Sequence, residues 1–326
     1  MASLSVLLPV YNAAPYLAES LTSILEQTRQ ADQIVIINDG STDNSLELLE
    51  EFKRQEARAQ LIDQKNLGVS AARNRGLALC EGDFIALMDA DDICHPSRFS
   101  VQLEAMQKLR LDLCGSWIQM FGRKSRQVRY PCTDTELKWN FLFLGRTIPN
   151  PTAMLRRETI GTTRYREDMH YAEDFGFFLE LLLKNPGIRA ANLPKMLLSY
   201  RMHETQASQN LKNLNQRNIV TLLQDLLPKA NIEVTASQTD LHYLVWDQGT
   251  PLSILQLQEY LPLMADISKW LLHHTGDRRQ AASHWNTLAK THCGLGRESY
   301  DLITQAAGNN WPLPWRMTQR MLSFIN

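Results

Sequence analysis

Short apolar runs alternate with amphipathic stretches over the first hundred residues. Leu4–Val10 is almost continuously apolar and closes on Tyr11-Asn12, after which Pro15 suits the first turn of a helix reaching about Gln27. Gln33–Ile37 predicts a second strand, ended by Asn38-Asp39-Gly40-Ser41. Thr42 or Asp43 can cap the helix that follows, which carries Leu46, Leu49 and Phe52 on one face. Ala59–Asp63 predicts a third strand, Asn66-Leu67-Gly68 a turn, and the stretch through Leu79 a helix. Asp83–Met88 predicts the fourth strand, and Pro96 opens another helix. Strands and helices in strict alternation predict a mostly parallel sheet covered on both faces. Ligands bind such sheets outside the carboxyl ends of the strands. Three of the predicted strands end there in polar or acidic residues: Tyr11-Asn12, Asp39, and Asp89-Ala90-Asp91-Asp92.

Beyond Asp112 the pattern is mixed. Leu113–Phe121, Gln127–Tyr130 and Thr152–Arg156 read as strands, Asp134–Leu144 as a helix and Tyr171–Leu183 as a strongly amphipathic helix; Ile188–Leu193 and Met196–Arg201 read as two paired strands. From about Glu204, Leu, Gln, Trp and Ala recur at helical spacing to the end of the sequence, punctuated by Pro228, Pro251, Gly276 and Gly294. The expected organisation is an α/β domain over residues 1–205 and a helical region over 206–326, with no fixed-period repeat.

Composition narrows the function. The 326 residues hold 34 Lys+Arg against 35 Asp+Glu, so the chain lacks the positive field that non-specific nucleic-acid binding requires. Five scattered cysteines, none in a CxxC pair, argue against a disulfide framework or structural zinc and for a reducing, cytoplasmic setting. The N-terminal stretch has no basic n-region and reads as a buried strand. Pro251–His274, the most apolar later stretch, is interrupted by Glu259, Asp266 and Lys269, so no transmembrane segment is expected. Residues 311–326 combine apolar bulk with Arg316 and Arg320 and no acid; they suit either a closing helix or peripheral contact with the inner membrane face.

The candidate chemistry is acidic. In extended backbone Asp89 and Asp91 would point the same way, and carboxylates without neighbouring Cys or His suit Mg²⁺ or Mn²⁺; helix capping by Asp92 is the bland alternative. Asp39 sits in an ideal turn-and-cap stretch, yet it could equally accept a hydrogen bond from a nucleobase imide while Tyr11 stacks on the base. Arg73 could clamp a diphosphate or simply be a solvated helix charge. Glu173 and Asp174 open an otherwise apolar helix, as dipole partners or with Asp174 as a general base. A lone His203 carries no role by itself.

Their order is more specific than any member. Pro9-Val10-Tyr11-Asn12, Asp39-Gly40-Ser41-Thr42-Asp43, Asn66-x-Gly68 with Ala72-Arg73-Asn74, Asp89-Ala90-Asp91-Asp92, Glu173-Asp174 and Tyr200-Arg201-x-His203 resemble, in sequence, the family 2 glycosyltransferases, over residues 1 to about 205. The resemblance implies a GT-A fold, a Rossmann-like doubly wound mixed sheet, and a metal-dependent inverting transfer of a hexosyl-type sugar. The sugar would pass from a nucleoside-diphosphate donor, UDP-linked, to a glycan or lipid-linked hydroxyl in surface polysaccharide or glycolipid synthesis. It implies Asp174 as catalytic base; Pro9, Tyr11, Asp39, Arg73, Asp89, Ala90 and Asp91 as the donor site; and Asp91 with His203 as ligands of Mn²⁺ or Mg²⁺. Asn38 departs from the family pattern, which often has Asp there.

Two other classes stay open. A nucleotidyltransferase would carry a Gly-rich basic loop after the first strand, where this chain has no Lys or Arg before Arg29. A non-catalytic nucleotide-sugar-binding protein would be marked by loss of Asp91 or Asp174, and both are present. Sugar selection is expected past the first hundred residues, with Trp139, His170 and Pro149-Asn150-Pro151 as candidates.

Overall fold

The computed structural model describes residues 2–203 and 212–308. Its described residues form two compact units. The first takes in the chain up to Leu137, Thr147–Leu181 and Ile188–Leu214; the second takes Lys138–Arg146, Leu182–Gly187 and the chain from Asn215.

The first unit begins with the predicted alternation: β1 (Leu4–Val10), α1 (Ala14–Leu25), β2 (Gln33–Asp39), α2 (Ser45–Gln55), β3 (Ala59–Gln64), α3 (Val69–Leu79) and β4 (Phe84–Leu87). It continues with β5 (Ile93–Cys94), α4 (Arg98–Lys108), β6 (Leu113–Gly122), β7 (Arg126–Val128), α5 (Asp134–Leu142), β8 (Met154–Arg156), α6 (Arg157–Ile160), α7 (Glu173–Lys184) and β9 (Ala190–Met202). The sheet runs β3-β2-β1-β4-β8-β6-β9-β5, with β7 on β6. β3, β2, β1 and β4 are parallel, β8 is antiparallel to its neighbours, and β6 and β9 are parallel. The mixed sheet is therefore parallel where the strand–helix alternation is strict and mixed where it breaks down. Leu4, Val6 and Leu8 of β1 and Ile34 and Ile36 of β2 are buried, each worth about 1.5–3 kcal/mol of apolar transfer.

One expectation is corrected here. Residues 188–201 do not form two paired strands; they form the single strand β9, in register with β6 from Leu113↔Ala190 to Gly122↔Met202. The register slips where Ser116↔Leu193 gives way to Trp117↔Met196, so Pro194 and Lys195 are absorbed as a bulge. Proline has no N–H for the ladder and is accommodated at bulges, so it broke the strand pattern without turning the chain.

The second unit holds the expected helical region: α8 (Lys212–Leu226), α9 (Ala236–Trp246), α10 (Ile254–Thr275), α11 (Arg278–Thr291) and α12 (Arg297–Ala307). Thr235 with Gln238, and Ser253 with Gln256, form capping boxes at α9 and α10, and Asp277 caps α11. Trp139 and Phe143 stack on His284, and His242 donates from Nε2 to the Leu142 carbonyl at 2.7 Å. Trp139 is thus a core residue of this unit, which removes it from the candidates for sugar selection. Among the described residues no helix is long and apolar enough to cross a membrane. Residues 311–326, the candidate membrane contact, lie outside the described residues.

Candidate active site

The carboxyl ends of β1 and β2 build one side of the site. Tyr11 follows β1 and is half exposed. Asn12 holds a left-handed φ of 48°, which Asn tolerates, and its Oδ1 accepts from Thr42 N at 2.7 Å. Asp43 ties the two helices that flank this rim, accepting from Ala14 N at 3.1 Å and Ser45 N at 3.0 Å. Asp39 ends β2 and is only 3% exposed. Its Oδ1 accepts from Gln64 Nε2 at 2.8 Å and Leu67 N at 2.9 Å, and its Oδ2 from Gly68 N at 2.9 Å. Gly40 is required beside it: its φ is +68°, and a Cβ there would stand 2.6 Å from Asn66 N. Asn38 donates to Asp63 Oδ1 at 2.6 Å and accepts from Ser41 Oγ at 2.6 Å, so the departure at this position is a neutral link between two strand ends.

The acidic run after β4 is not extended. The chain turns, with Asp92 N donating to Asp89 O at 3.3 Å, and the three carboxylates diverge. The expectation that alternate residues of a strand would aim Asp89 and Asp91 together is corrected on that ground. Asp89 Oδ1 meets Arg73 Nη2 at 3.1 Å. Asp91 Oδ2 meets His203 Nε2 at 2.9 Å. Asp92 is fully buried and caps no helix; its Oδ1 accepts from Arg201 N at 2.9 Å and its Oδ2 has no partner. Burial, then the neighbouring Asp91 and Asp89, hold the Asp92 carboxyl well above the usual carboxylate range. Arg201 binds the same turn through Nε to the Asp91 carbonyl at 2.8 Å, and its guanidinium reaches Glu19 at 2.6 Å and lies over the rings of Tyr16 and Phe121. Tyr16 also packs its ring 4.7 Å from that of His203. The short β5–β9 pairing, Ile93↔Ser199, brings this aspartate turn beside the end of β9.

The third component is the start of α7. Arg73 is buried on α3, with Nη1 2.9 Å from Glu173 Oε1, Nη2 on Asp89 and its guanidinium over the Tyr165 ring. Burial alone would lower the guanidinium; facing Asp89, Tyr165, Glu173 and Asp174, it is raised instead. Asn74 exchanges two hydrogen bonds with the Tyr165 backbone, each 2.8 Å, and Tyr165 stacks on Phe177 of α7. Asp174 Oδ1 accepts from Phe175 N at 2.7 Å. Desolvation, and next the adjacent Glu173 charge, push the Asp174 carboxyl up to about 6, against the pull of Arg73. A carboxylate with that affinity takes a proton readily and is still ionised at neutral pH.

Of the sequence-derived candidates, Asp39, Arg73, Asp89, Asp91, Asp174 and His203 all lie in the first unit. Pro9 pairs with Ile37 in the sheet, and Ala90 is buried in the turn. His170 approaches Gly68, its Cε1 3.9 Å from where a glycine Cβ would stand, and Asn150 accepts from the buried Tyr165 hydroxyl at 3.0 Å. Sequence reasoning missed Tyr16, Tyr165 and the structural role of Asp92, none of which carries a local signal. Asp91 and His203 offer one carboxylate oxygen and one imidazole nitrogen, and among the described residues no group of three such side chains could hold a metal. Two protein donors fit an open site for a hard divalent cation that completes its shell with phosphate and water oxygens.

A sheet that is parallel over β3-β2-β1-β4, with Asp39, Asp89 and Asp91 at or just past its carboxyl strand ends, places the protein in the α/β class that binds ligands at that rim. The glycosyl transferase family 2 model matches residues 5–163. An uncharacterized glycosyltransferase of Haemophilus influenzae is 31% identical over 183 residues, covering 56% of this chain and 72% of that protein. The uncharacterized glycosyltransferase YibD of Escherichia coli is 28% identical, covering 70% and 71%. Staphylococcus aureus TarS 1–349, solved with UDP-GlcNAc, matches at TM-score 0.61 and 16% identity over 92% of this chain and 91% of that one. The mannosyltransferase PcManGT of Pyrobaculum calidifontis, solved with GDP-Man and Mn²⁺, matches at TM-score 0.51 and 15% identity, covering 99% and 85%. The fold is GT-A, and the chain belongs to glycosyltransferase family 2; it is a glycosyltransferase.

Proposed function

We propose that this enzyme transfers a hexosyl-type sugar from a UDP-linked donor to a glycan or lipid-linked hydroxyl, with inversion at the anomeric carbon. The observation that carries the reading is the grouping, at strand and helix ends of one unit, of a buried carboxylate at Asp39, the Asp91–His203 pair and the Asp174 carboxyl. Tyr11 stacks on the base and Asp39 accepts its imide N–H. Three of the roughly four lone-pair sites of that carboxylate are already used, which leaves one. Pro9 lines the base site, and Asp89 and Ala90 face the ribose. Asp91 and His203 would hold Mn²⁺ or Mg²⁺, which would neutralise charge on the departing diphosphate when bound.

Asp174 takes the proton of the acceptor hydroxyl as that oxygen attacks the anomeric carbon. The bond from that carbon to the diphosphate oxygen breaks with its electron pair leaving on the nucleoside diphosphate. The backbone N–H of Phe175 keeps the Asp174 carboxylate oriented. The donor complexes of TarS and PcManGT, both of this fold, support a nucleotide-sugar donor.

A thermal-shift screen of nucleotide sugars with Mn²⁺ tests the donor assignment. A ligand at a hundredfold its Kd adds about 2.7 kcal/mol of apparent stability, read as several degrees of Tm. The expected result is a shift with one UDP-sugar that Asp91→Ala loses. An equal shift in Asp91→Ala would remove the metal-holding role from Asp91.

A further inference from the structure

We propose that Arg73 and Glu173 are positioning residues for Asp174: their ion pair, anchored on Asp89, holds the first turn of α7 beside the carboxyl end of β4. The inference rests on Asp174 being the base, and it departs from the expectation that Arg73 clamps the donor diphosphate. A phosphate clamp presents its terminal nitrogens to solvent so that phosphate can take them. Arg73 is only 6% exposed, and each of its two terminal nitrogens already meets a carboxylate of the protein itself, Glu173 Oε1 at 2.9 Å and Asp89 Oδ1 at 3.1 Å.

The approach to α7 needs such a tie. Tyr171 and Ala172, the two residues before the helix, both have left-handed backbone, φ 73° and 58°. Neither is glycine, and such conformations cost about 1–3 kcal/mol each unless their surroundings impose them. Contacts from α3 lie on both sides of them, and the Ala172 carbonyl accepts from Gly176 N at 2.9 Å. Arg73 grips Glu173 directly after the strained pair, while Asn74 grips the Tyr165 backbone a few residues before it through Oδ1 and Nδ2, each at 2.8 Å. Adjacent residues of one helix therefore bracket the strained segment, and the same Arg73 fixes its far end to the donor side through Asp89. With the tie in place Asp174, next to Glu173, has one position relative to β4.

The pair also sets the field at Asp174. The charged and titratable groups facing that carboxyl are Glu173 on its own helix, Arg73 from α3, Asp89 at the end of β4 and Tyr165 from the preceding segment. Glu173 favours the protonated form and Arg73 the ionised one. Two variants on one ion pair should then move Asp174 in opposite directions, which loss of a merely structural contact would not do.

The test is a carboxyl ¹³C NMR titration of the full chain labelled at aspartate, with the Asp174 signal identified by its absence in Asp174→Asn. Calorimetry with UDP and Mn²⁺ runs alongside. Wild-type Asp174 should titrate near about 6. Glu173→Gln should lower its midpoint, and Arg73→Met should raise it, each by about half a unit or more. UDP affinity should stay within about twofold in Glu173→Gln, because neither member of the pair contacts donor. If Arg73→Met does not fold, Glu173→Gln decides alone. An unmoved Asp174 signal in a folded Glu173→Gln overturns the proposal, as does a roughly tenfold loss of UDP affinity in Arg73→Lys with the signal unmoved, which marks a donor clamp. Failure of the base reading is separate: it shows as wild-type transfer by Asp174→Asn.

Discussion

At the scale of single residues, the site depends on groups whose surroundings dictate one conformation. Gly40 is the clearest case, since a side chain there meets the Asn66 backbone at 2.6 Å in a left-handed turn. Gly40→Ala should destabilise the first unit by about 1–3 kcal/mol and weaken donor binding, because that turn orders the loop that fills the Asp39 carboxylate. A chemical-denaturation midpoint equal to wild type would contradict this. The carboxylates given roles in the proposed reaction, Asp39, Asp91 and Asp174, were legible because each stands at or just past a strand end or at a helix start. Asp92 was legible only as an acid. That it faces inward and binds Arg201 N follows from a turn no local pattern announces. Arg73 was found by its motif with an expected partner outside the protein, whereas its bound partners are Asp89 and Glu173, 16 and 100 residues away.

At the scale of elements, hydrophobic period and punctuation located the strands and helices that follow one another simply. Pro15, Gly276 and the polar turns at Asn38-Asp39-Gly40 and Asn66-Leu67-Gly68 mark boundaries because proline and glycine act through the backbone itself. The same logic misread β9, where Pro194 interrupts the pattern without interrupting the strand. It had no means of finding β5, whose two residues are a strand only because β9 lies alongside. In the helical unit His242 joins α9 to its neighbours, with Nε2 donating to the Leu142 carbonyl and Nδ1 accepting from the Tyr260 hydroxyl at 3.0 Å. Desolvation depresses it to about 4, from 6.5, so between those values the unfolded chain binds a proton that the folded chain refuses. Its contribution to stability is therefore whole above pH 6.5 and lost as pH falls towards 4, about 3 kcal/mol in all. His242→Phe should flatten this part of the pH–stability curve. It should also cost about 1–3 kcal/mol at pH 8, for the Leu142 carbonyl that loses its imidazole donor and the Tyr260 hydroxyl that keeps only Trp246 and Met264. An unchanged slope between pH 7 and 4 would contradict the assignment.

At the scale of the whole molecule, a chain of near-zero net charge divides into an α/β unit that carries every candidate site residue and a helical unit built around His242, Trp139 and His284. The membership of that second unit was hidden from sequence, because Lys138–Arg146 and Leu182–Gly187 join it across long separations in the chain. Every residue of the proposed reaction lies in the first unit, and the proposed role of Asp174 is to accept the acceptor's proton. The decisive measurement is the pH profile of sugar transfer by wild type and Asp174→Asn, using the donor that the thermal-shift screen selects. Wild type should lose activity on the acid side with an apparent pKa near about 6, and Asp174→Asn should lose at least about a hundredfold in kcat while binding donor as wild type does. Transfer by Asp174→Asn within about threefold of the wild-type rate would contradict the account.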